Sequence, residues 1–211
     1  MNSPCIGIVD YGVGNIRSIS NALASLGIKY ILSNEEKVLE TTSHLILPGV
    51  GAFSHGINLL RTQGLDKFIK SYAASKKPIL GICLGMQMLS NKGTEFEITP
   101  GLNLLNGTAK IIASVEEGLR LPHVGWTKVN RVSDKYDWLF EGIEDESKFY
   151  FIHSYCIEPD TCHTIGVSSY ANNSFASVIG CGGIIGTQFH PEKSGPQGLR
   201  LIFNFSKFHI L

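Results

Sequence analysis

The chain has 211 residues, enough for one domain with a sizeable core, and its 18 Lys and Arg balance 18 Asp and Glu. Neutrality removes the long-range field that would draw it to nucleic acid or anionic lipid, so neither is an expected partner. No stretch approaches the roughly 18 unbroken apolar residues of a membrane span, and the start carries neither a basic leader nor a sufficient apolar run, so no membrane association is expected and the expected location is cytoplasmic.

Residues 5–10 read as a buried strand and Tyr11-Gly12-Val13-Gly14 as a turn. Asn15 then caps a helix whose apolar positions Ile16, Ile19, Leu23 and Leu26 recur at helical spacing, and Gly27 stops it. Gly12 and Gly14 ahead of a helix begin a dinucleotide fingerprint, but Arg17 stands where the third glycine belongs and no acidic ribose partner follows at the right distance; no cofactor is expected. Residues 29–32 form a second strand, 35–41 a short polar helix, and 44–47 a third strand ending at Pro48-Gly49. Residues 53–60 and 65–75 are helical, and 78–83 are the fourth strand. Strands alternating with helices over short connections imply a three-layer α/β fold with a mostly parallel central sheet covered on both faces. Beyond about residue 100 the texture changes: 104–114, 121–132, 148–157, 164–170 and 175–188 read as strands extending that sheet with antiparallel members. Residues 198–209 form a closing helix with Leu199, Ile202, Phe203 and Ser206 on one side, and the whole chain, 1–211, is read as one domain.

The run Ile79-Leu-Gly-Ile-Cys83-Leu-Gly85-Met-Gln87 places a cysteine between two glycines where an apolar strand meets an apolar helix. That is the form of a nucleophile elbow, a turn so tight that small residues must flank the reactive group, with a helix start favouring the thiolate. In Gln188-Phe-His190-Pro-Glu192, a histidine and a carboxylate two residues apart face the same way in extended chain. Nucleophile, base and orienter are therefore all present. The other cysteines (5, 156, 162 and 181) read as small core residues, without metal-like pairs. The remaining histidines (44, 55, 123, 153, 163 and 209) share no ligand spacing, so no metal is expected.

Four segments in order, Asp10-Tyr-Gly-Val-Gly-Asn15, Pro48-Gly-Val-Gly51, Gly81-Ile-Cys-Leu-Gly-Met-Gln87 and Gln188-Phe-His-Pro-Glu-Lys-Ser194, make the chain resemble the class I (triad) glutamine amidotransferases. Leu121-Pro-His-Val-Gly-Trp126 and Tyr150-Phe-Ile-His-Ser-Tyr155 make it similar, within that class, to the glutaminase-subunit family of imidazole glycerol phosphate synthases. The resemblance implies an enzyme that hydrolyses L-glutamine, with Cys83 as nucleophile, His190 as base and Glu192 as its orienter. It implies oxyanion donors at Gly51 (or Val50) and Leu84, and glutamine contacts at Gly49, Gln87, Glu95, Ser154 and Tyr155. It also implies a (β/α)₈ cyclase subunit as partner in a heterodimer, met by Asn15, Ser18, Pro122, Val124, Trp126, Tyr150 and Lys193. Two departures stand out: Thr127 occupies a position where the family usually has Asn, and the loop from Asn91 to Pro100 lacks the acidic, glycine-containing family pattern. Relatives that feed a cyclase-like partner for amidination of a surface sugar are the alternative. A non-catalytic module and a cysteine peptidase are opposed by the intact triad and by the amino-acid head-group set.

Overall fold

The computed structural model describes residues 4–112, 120–159 and 163–209. In the first half β1 (Cys5–Val9), α1 (Ile16–Ser25), β2 (Lys29–Ser33), α2 (Glu36–Leu39), β3 (His44–Leu47), α3 (Phe53–Thr62), α4 (Leu65–Ala74), β4 (Ile79–Ile82) and α5 (Leu84–Met88) follow one another. Every residue of β3 and β4 is buried, as expected of parallel strands covered on both faces. Their side chains alternate between two cores. Ile46, Leu80 and Ile82 join Ile19 and Leu23 of α1 on one face; Leu45, Leu47 and Ile79 join Ile57, Leu60, Phe68 and Ile69 of α3 and α4 on the other.

The second half contributes β5 (Lys92–Gly93), β6 (Thr99–Pro100), β7 (Gly107–Ile111), β8 (His123–Lys128), β9 (Asn130–Arg131), β10 (Lys148–His153), β11 (Tyr155–Pro159), β12 (Thr164–Tyr170), β13 (Asn173–Cys181), β14 (Ile184–Thr187) and α6 (Gly195–Lys207). An eight-stranded sheet runs β2-β1-β3-β4-β14-β13-β12-β9. Its members β2, β1, β3, β4 and β14 pair in parallel, while β13, β12 and β9 attach antiparallel. The architecture is thus the expected α/β sheet flanked by helices. Among the described residues, no helix is long and apolar enough to cross a membrane.

Not all later strands join that sheet. Among the described residues β8 pairs only with β10 in a two-stranded ribbon, and β11-β7-β5-β6 form a separate four-stranded sheet. The stretch 148–157 breaks at Ser154 because its inward phase slips: Phe149, Phe151 and His153 are buried, and then Cys156 and Ile157. A strand cannot change phase by one residue and keep the same face inward, so the chain turns into a second sheet. The stretch 175–188 folds into a hairpin at Gly182, whose φ of +60° suits a tight turn. Only Gly107–Ile111 of the stretch 104–114 is strand, and residues 113 and 114 lie outside the described set. Asp134–Phe140, to which the sequence reading assigned no element, is a 3₁₀ segment burying Tyr136, Leu139 and Phe140. The last helix begins at Gly195, three residues before the expected start, with Pro196 in its first turn.

Candidate active site

Strand β4 leads into Cys83, whose φ of +54° and ψ of −111° mirror the first corner of a type II turn, a region glycine dominates. The neighbouring glycines serve another purpose, because neither needs a positive φ. A Cβ at Gly85 would stand 1.9 Å from the Leu47 carbonyl oxygen, and one at Gly81 would stand 2.8 Å from the Gly85 backbone. Strand, elbow and β3 therefore interlock at backbone distance, and the cysteine bears the strain. The Cys83 N–H is held by the Thr187 carbonyl at 2.7 Å.

That hydrogen bond also brings in the base. β14 lies beside β4 with Thr187 opposite Ile82, so the chain leaving β14 delivers His190 to the carboxyl ends of both strands. His190 Nδ1 lies 2.8 Å from Glu192 Oε1, with both side chains buried. The carboxylate only accepts, so Nδ1 carries the proton, and among the described residues the buried Nε2 has no hydrogen-bond partner. Asn15 Nδ2 donates to the same Glu192 oxygen at 3.0 Å, while Ser18 Oγ donates to Asn15 Oδ1 at 3.0 Å. Asn15 precedes α1 but makes no side-chain cap, which corrects the capping expectation. Asn15 and Ser18, assigned by resemblance to the partner face, thus stand behind the carboxylate.

Burial alone would depress the His190 pKa, but the neighbouring Cys83 sulfur and the hydrogen bond and charge of Glu192 outweigh it and push the value up to about 9. An imidazolium raised above its ordinary 6.5 stabilises the fold fully below that pH and loses its contribution as pH climbs through about 9. The melting temperature is therefore expected to fall between pH 6.5 and 9, and to fall less in His190→Asn. A pH series of thermal melts on both proteins checks this; equal slopes would refute it.

Cys83 and His190 open onto one cavity of about 430 Å³. Val50, Gly51, Leu84, Gln87, Glu95, Ser154 and Tyr155 line it, together with Pro122, Ile152, His153 and Lys193. Gly49 does not line it: a Cβ there would be 2.7 Å from Gly85 N, so this glycine lies packed beneath the elbow. Gly51, with φ of +94°, has open space around it. Gln87 Nε2 donates to the Tyr155 carbonyl at 2.8 Å and to Gln188 Oε1 at 3.1 Å, so Oε1 is the part of this amide left for a ligand. Glu95 Oε2 accepts the Phe53 N–H at 2.8 Å, satisfying the start of α3 and fixing the carboxylate at the cavity wall.

Three neighbours of the site carried no assignment from sequence. The Ile152 carbonyl lies 3.8 Å from Cys83 Sγ, Gln188 Nε2 lies 3.7 Å from it, and His153 joins the lining. Beside the cavity, the β8–β10 ribbon sets Trp126 opposite Tyr150 and Val124 opposite Ile152. The rings of Trp126 and Tyr150 meet edge to face at 6.0 Å, and Lys193 Nζ sits 5.9 Å over the Tyr150 ring. Val124 and Trp126 are 54% and 52% exposed, an apolar patch that single surface residues do not explain. Among the described residues, no three His, Cys, Asp or Glu are grouped to hold a metal. Cys156 is buried, its thiol pushed up to about 12 chiefly by burial, but Cys181 is exposed at the end of β13, against the expectation of a core residue. Cys162 lies outside the described residues.

Residues 7–208 match the family model of class-I glutamine amidotransferases. The chain is 43% identical to imidazole glycerol phosphate synthase subunit HisH of Sulfurimonas denitrificans, over 98% of this chain and 99% of the relative. It is 42% identical to the same subunit of a Geobacillus species, with 95% of each chain covered. Among solved structures, a crystal structure of a glutamine amidotransferase superposes with a TM-score of 0.73 at 19% identity, over 95% of this chain and 96% of that one. PurLQS from Thermotoga maritima superposes with a TM-score of 0.70 at 20% identity, over 97% and 98%. These two likenesses concern the fold.

Proposed function

The chain belongs to the class-I glutamine amidotransferase family, and from that premise we propose that it is the glutaminase subunit of an imidazole glycerol phosphate synthase, releasing ammonia from L-glutamine for histidine biosynthesis. The observation that carries this reading is the convergence of Cys83, His190 and the buried Glu192 at one cavity that also presents Gln87 and Glu95. Cys83 Sγ attacks the carboxamide carbon, and the oxygen takes the electron pair of the C=O bond as a tetrahedral oxyanion. Collapse expels ammonia, which takes its proton from His190, and leaves a thioester. His190 then deprotonates water, which attacks the thioester, and glutamate departs as the sulfur recovers its charge. Glu192, fixed by Asn15, holds the imidazole tautomer through both halves.

The oxyanion needs N–H donors set in advance. Leu84 at the elbow and the Val50–Gly51 segment border the cavity, and open space around Gly51 lets its peptide turn inward. The uncommitted oxygens of Gln87 and Glu95 suit the α-ammonium of glutamine, with the Ser154–Tyr155 backbone receiving its carboxylate.

The partner in this reading is a (β/α)₈ cyclase subunit that docks on Val124, Trp126, Tyr150 and Lys193 and takes up ammonia before it meets bulk water; the working compartment is the cytoplasm. A ring half exposed at the centre of such a patch is an interface anchor, and truncating one weakens association by about 2 kcal/mol or more. Trp126→Ala is therefore expected to weaken a purified complex with the cyclase at least about tenfold while leaving the isolated chain folded. Titration calorimetry, paired with an assay of glutamine-dependent product formation, tests both halves. Tight binding by the variant would remove the docking face, and product formed from free ammonia but never from glutamine would remove the function.

A further inference from the structure

We propose that Gln188 is a further catalytic residue: its side-chain amide donates a hydrogen bond to Cys83 Sγ and holds the sulfur in place as it becomes a thiolate. This rests on the reading of Cys83 as nucleophile.

Gln188 is fully buried, directly after β14, with its Nε2 3.7 Å from the sulfur. Which end of the amide faces the sulfur follows from the rest of the chain of contacts. The Tyr155 carbonyl can only accept, so Gln87 turns its NH₂ toward it, 2.8 Å away. The second hydrogen of that NH₂ then meets Gln188 Oε1 at 3.1 Å, which leaves Gln188 Nε2 for the sulfur.

The same carbonyl is gripped from its other side. His153 Nδ1 lies 2.9 Å from it and must donate, so His153 Nε2 is an acceptor. His123 Nδ1 donates to that nitrogen at 3.1 Å, and His123 Nε2 accepts from the Thr127 hydroxyl at 3.0 Å. Burial, aided by the charges of His123 and His190 and opposed by the Tyr155 carbonyl, pushes His153 down to about 4. The ring stays neutral near pH 7 and the direction of every bond is kept. Thr127, where the family usually has Asn, here supplies the hydroxyl that ends the series.

The alternative, that Gln188 only fills space and braces Gln87, does not explain what the sulfur meets. Among the described residues its other hydrogen-bond contact is the Ile152 carbonyl at 3.8 Å. A thiol satisfies both, donating to Ile152 and accepting from Gln188. Of these two contacts a thiolate can use only the donor, so the Gln188 contact strengthens as the proton leaves, which is when a catalytic contact must act.

Two variants separate the readings. Gln188→Glu keeps the shape and still offers an oxygen to Gln87, but turns a carboxylate oxygen toward the sulfur. Gln188→Met keeps the bulk without any donor and adds no buried charge, so it carries the test if the Glu variant fails to fold. The readouts are the rate of Cys83 alkylation by iodoacetamide at pH 7, followed on the Cys83 peptide by mass spectrometry, and kcat and KM for glutamine in the complex with the cyclase. Both variants are expected to lose on the order of 10–100-fold in alkylation rate and kcat, the range for a hydrogen bond to a charged group, with KM little changed and Glu the worse of the two. Wild-type rates in Gln188→Glu, Met worse than Glu, or loss confined to KM would each overturn the proposal. A wild-type chain that neither hydrolyses glutamine nor alkylates at Cys83 would instead remove the glutaminase reading itself.

Discussion

Replacing Cys83 with alanine is expected to remove glutamine hydrolysis, by a factor on the order of 10⁴–10⁶, while leaving the fold and the docking surface intact. Loss of the nucleophile removes the thioester route altogether, and what survives is water held near a polarised carbonyl. The fold does not need the sulfur. Cys83 sits at φ of +54°, where any Cβ is strained, and the glycines around it, not its own side chain, carry the close packing. A second variant exposes that strain. Cys83→Gly is expected to be about 1 kcal/mol more stable than Cys83→Ala, because glycine takes the mirror-image corner without penalty. Ammonia release and denaturant midpoints on the three proteins test both statements. Turnover by the alanine variant would remove Cys83 as nucleophile, and an alanine variant as stable as the glycine one would show that the elbow stores no strain.

Strands β1, β3 and β4 were legible because parallel strands covered on both faces are short apolar runs, and β3, closed by Pro48, falls on the expected residues. The later strands were less so. Between 148 and 157 the composition stays uniformly strand-like, and only the slip in burial phase after His153 marks where one sheet ends and another begins. Gly182-Gly183 was a turn signal inside 175–188, and the apolar residues on both sides masked it. The 3₁₀ segment carries its inward residues Tyr136, Leu139 and Phe140 at helical spacing, over too short a length to stand out.

The candidate site divides in the same way. Cys83 between its glycines and His190 before Glu192 are local patterns, so a linear reading finds them. Asn15 reaches Glu192 across 177 positions, Gln188 reaches Cys83 across 105, and Ile152 reaches it across 69. Contacts so distant in sequence leave no periodicity, and a buried Asn or Gln looks the same in sequence whether it packs or donates. Gly49 shows the converse. The resemblance gave it as a glutamine contact, yet the 2.7 Å that a Cβ there would leave to Gly85 N accounts for the glycine without a ligand.

Gly85→Ala is expected to be the most damaging single-methyl change in the elbow, leaving little or no soluble folded protein. The added carbon would stand 1.9 Å from the Leu47 carbonyl oxygen and 2.9 Å from the Leu47 carbonyl carbon, both backbone atoms, so no rotamer change relieves it. Overpacking relieved by side chains costs about 1–3 kcal/mol. Here α5 and β3 must separate instead, and a domain with roughly 5–15 kcal/mol of stability has little margin for that. Local separation would also be felt in the chemistry, since β3 leads directly into Pro48–Gly51 and Gly49 packs on Gly85 N. Gly182→Ala is the control. Its Cβ would meet nothing within 4 Å, so only the positive φ opposes it, at about 1 kcal/mol. Soluble yield and urea midpoints for the two variants, with ammonia release measured on whatever folds, decide the matter. A Gly85→Ala protein as stable as Gly182→Ala would mean that α5 slides freely over β3, and that the elbow is not fixed by interlocked backbone.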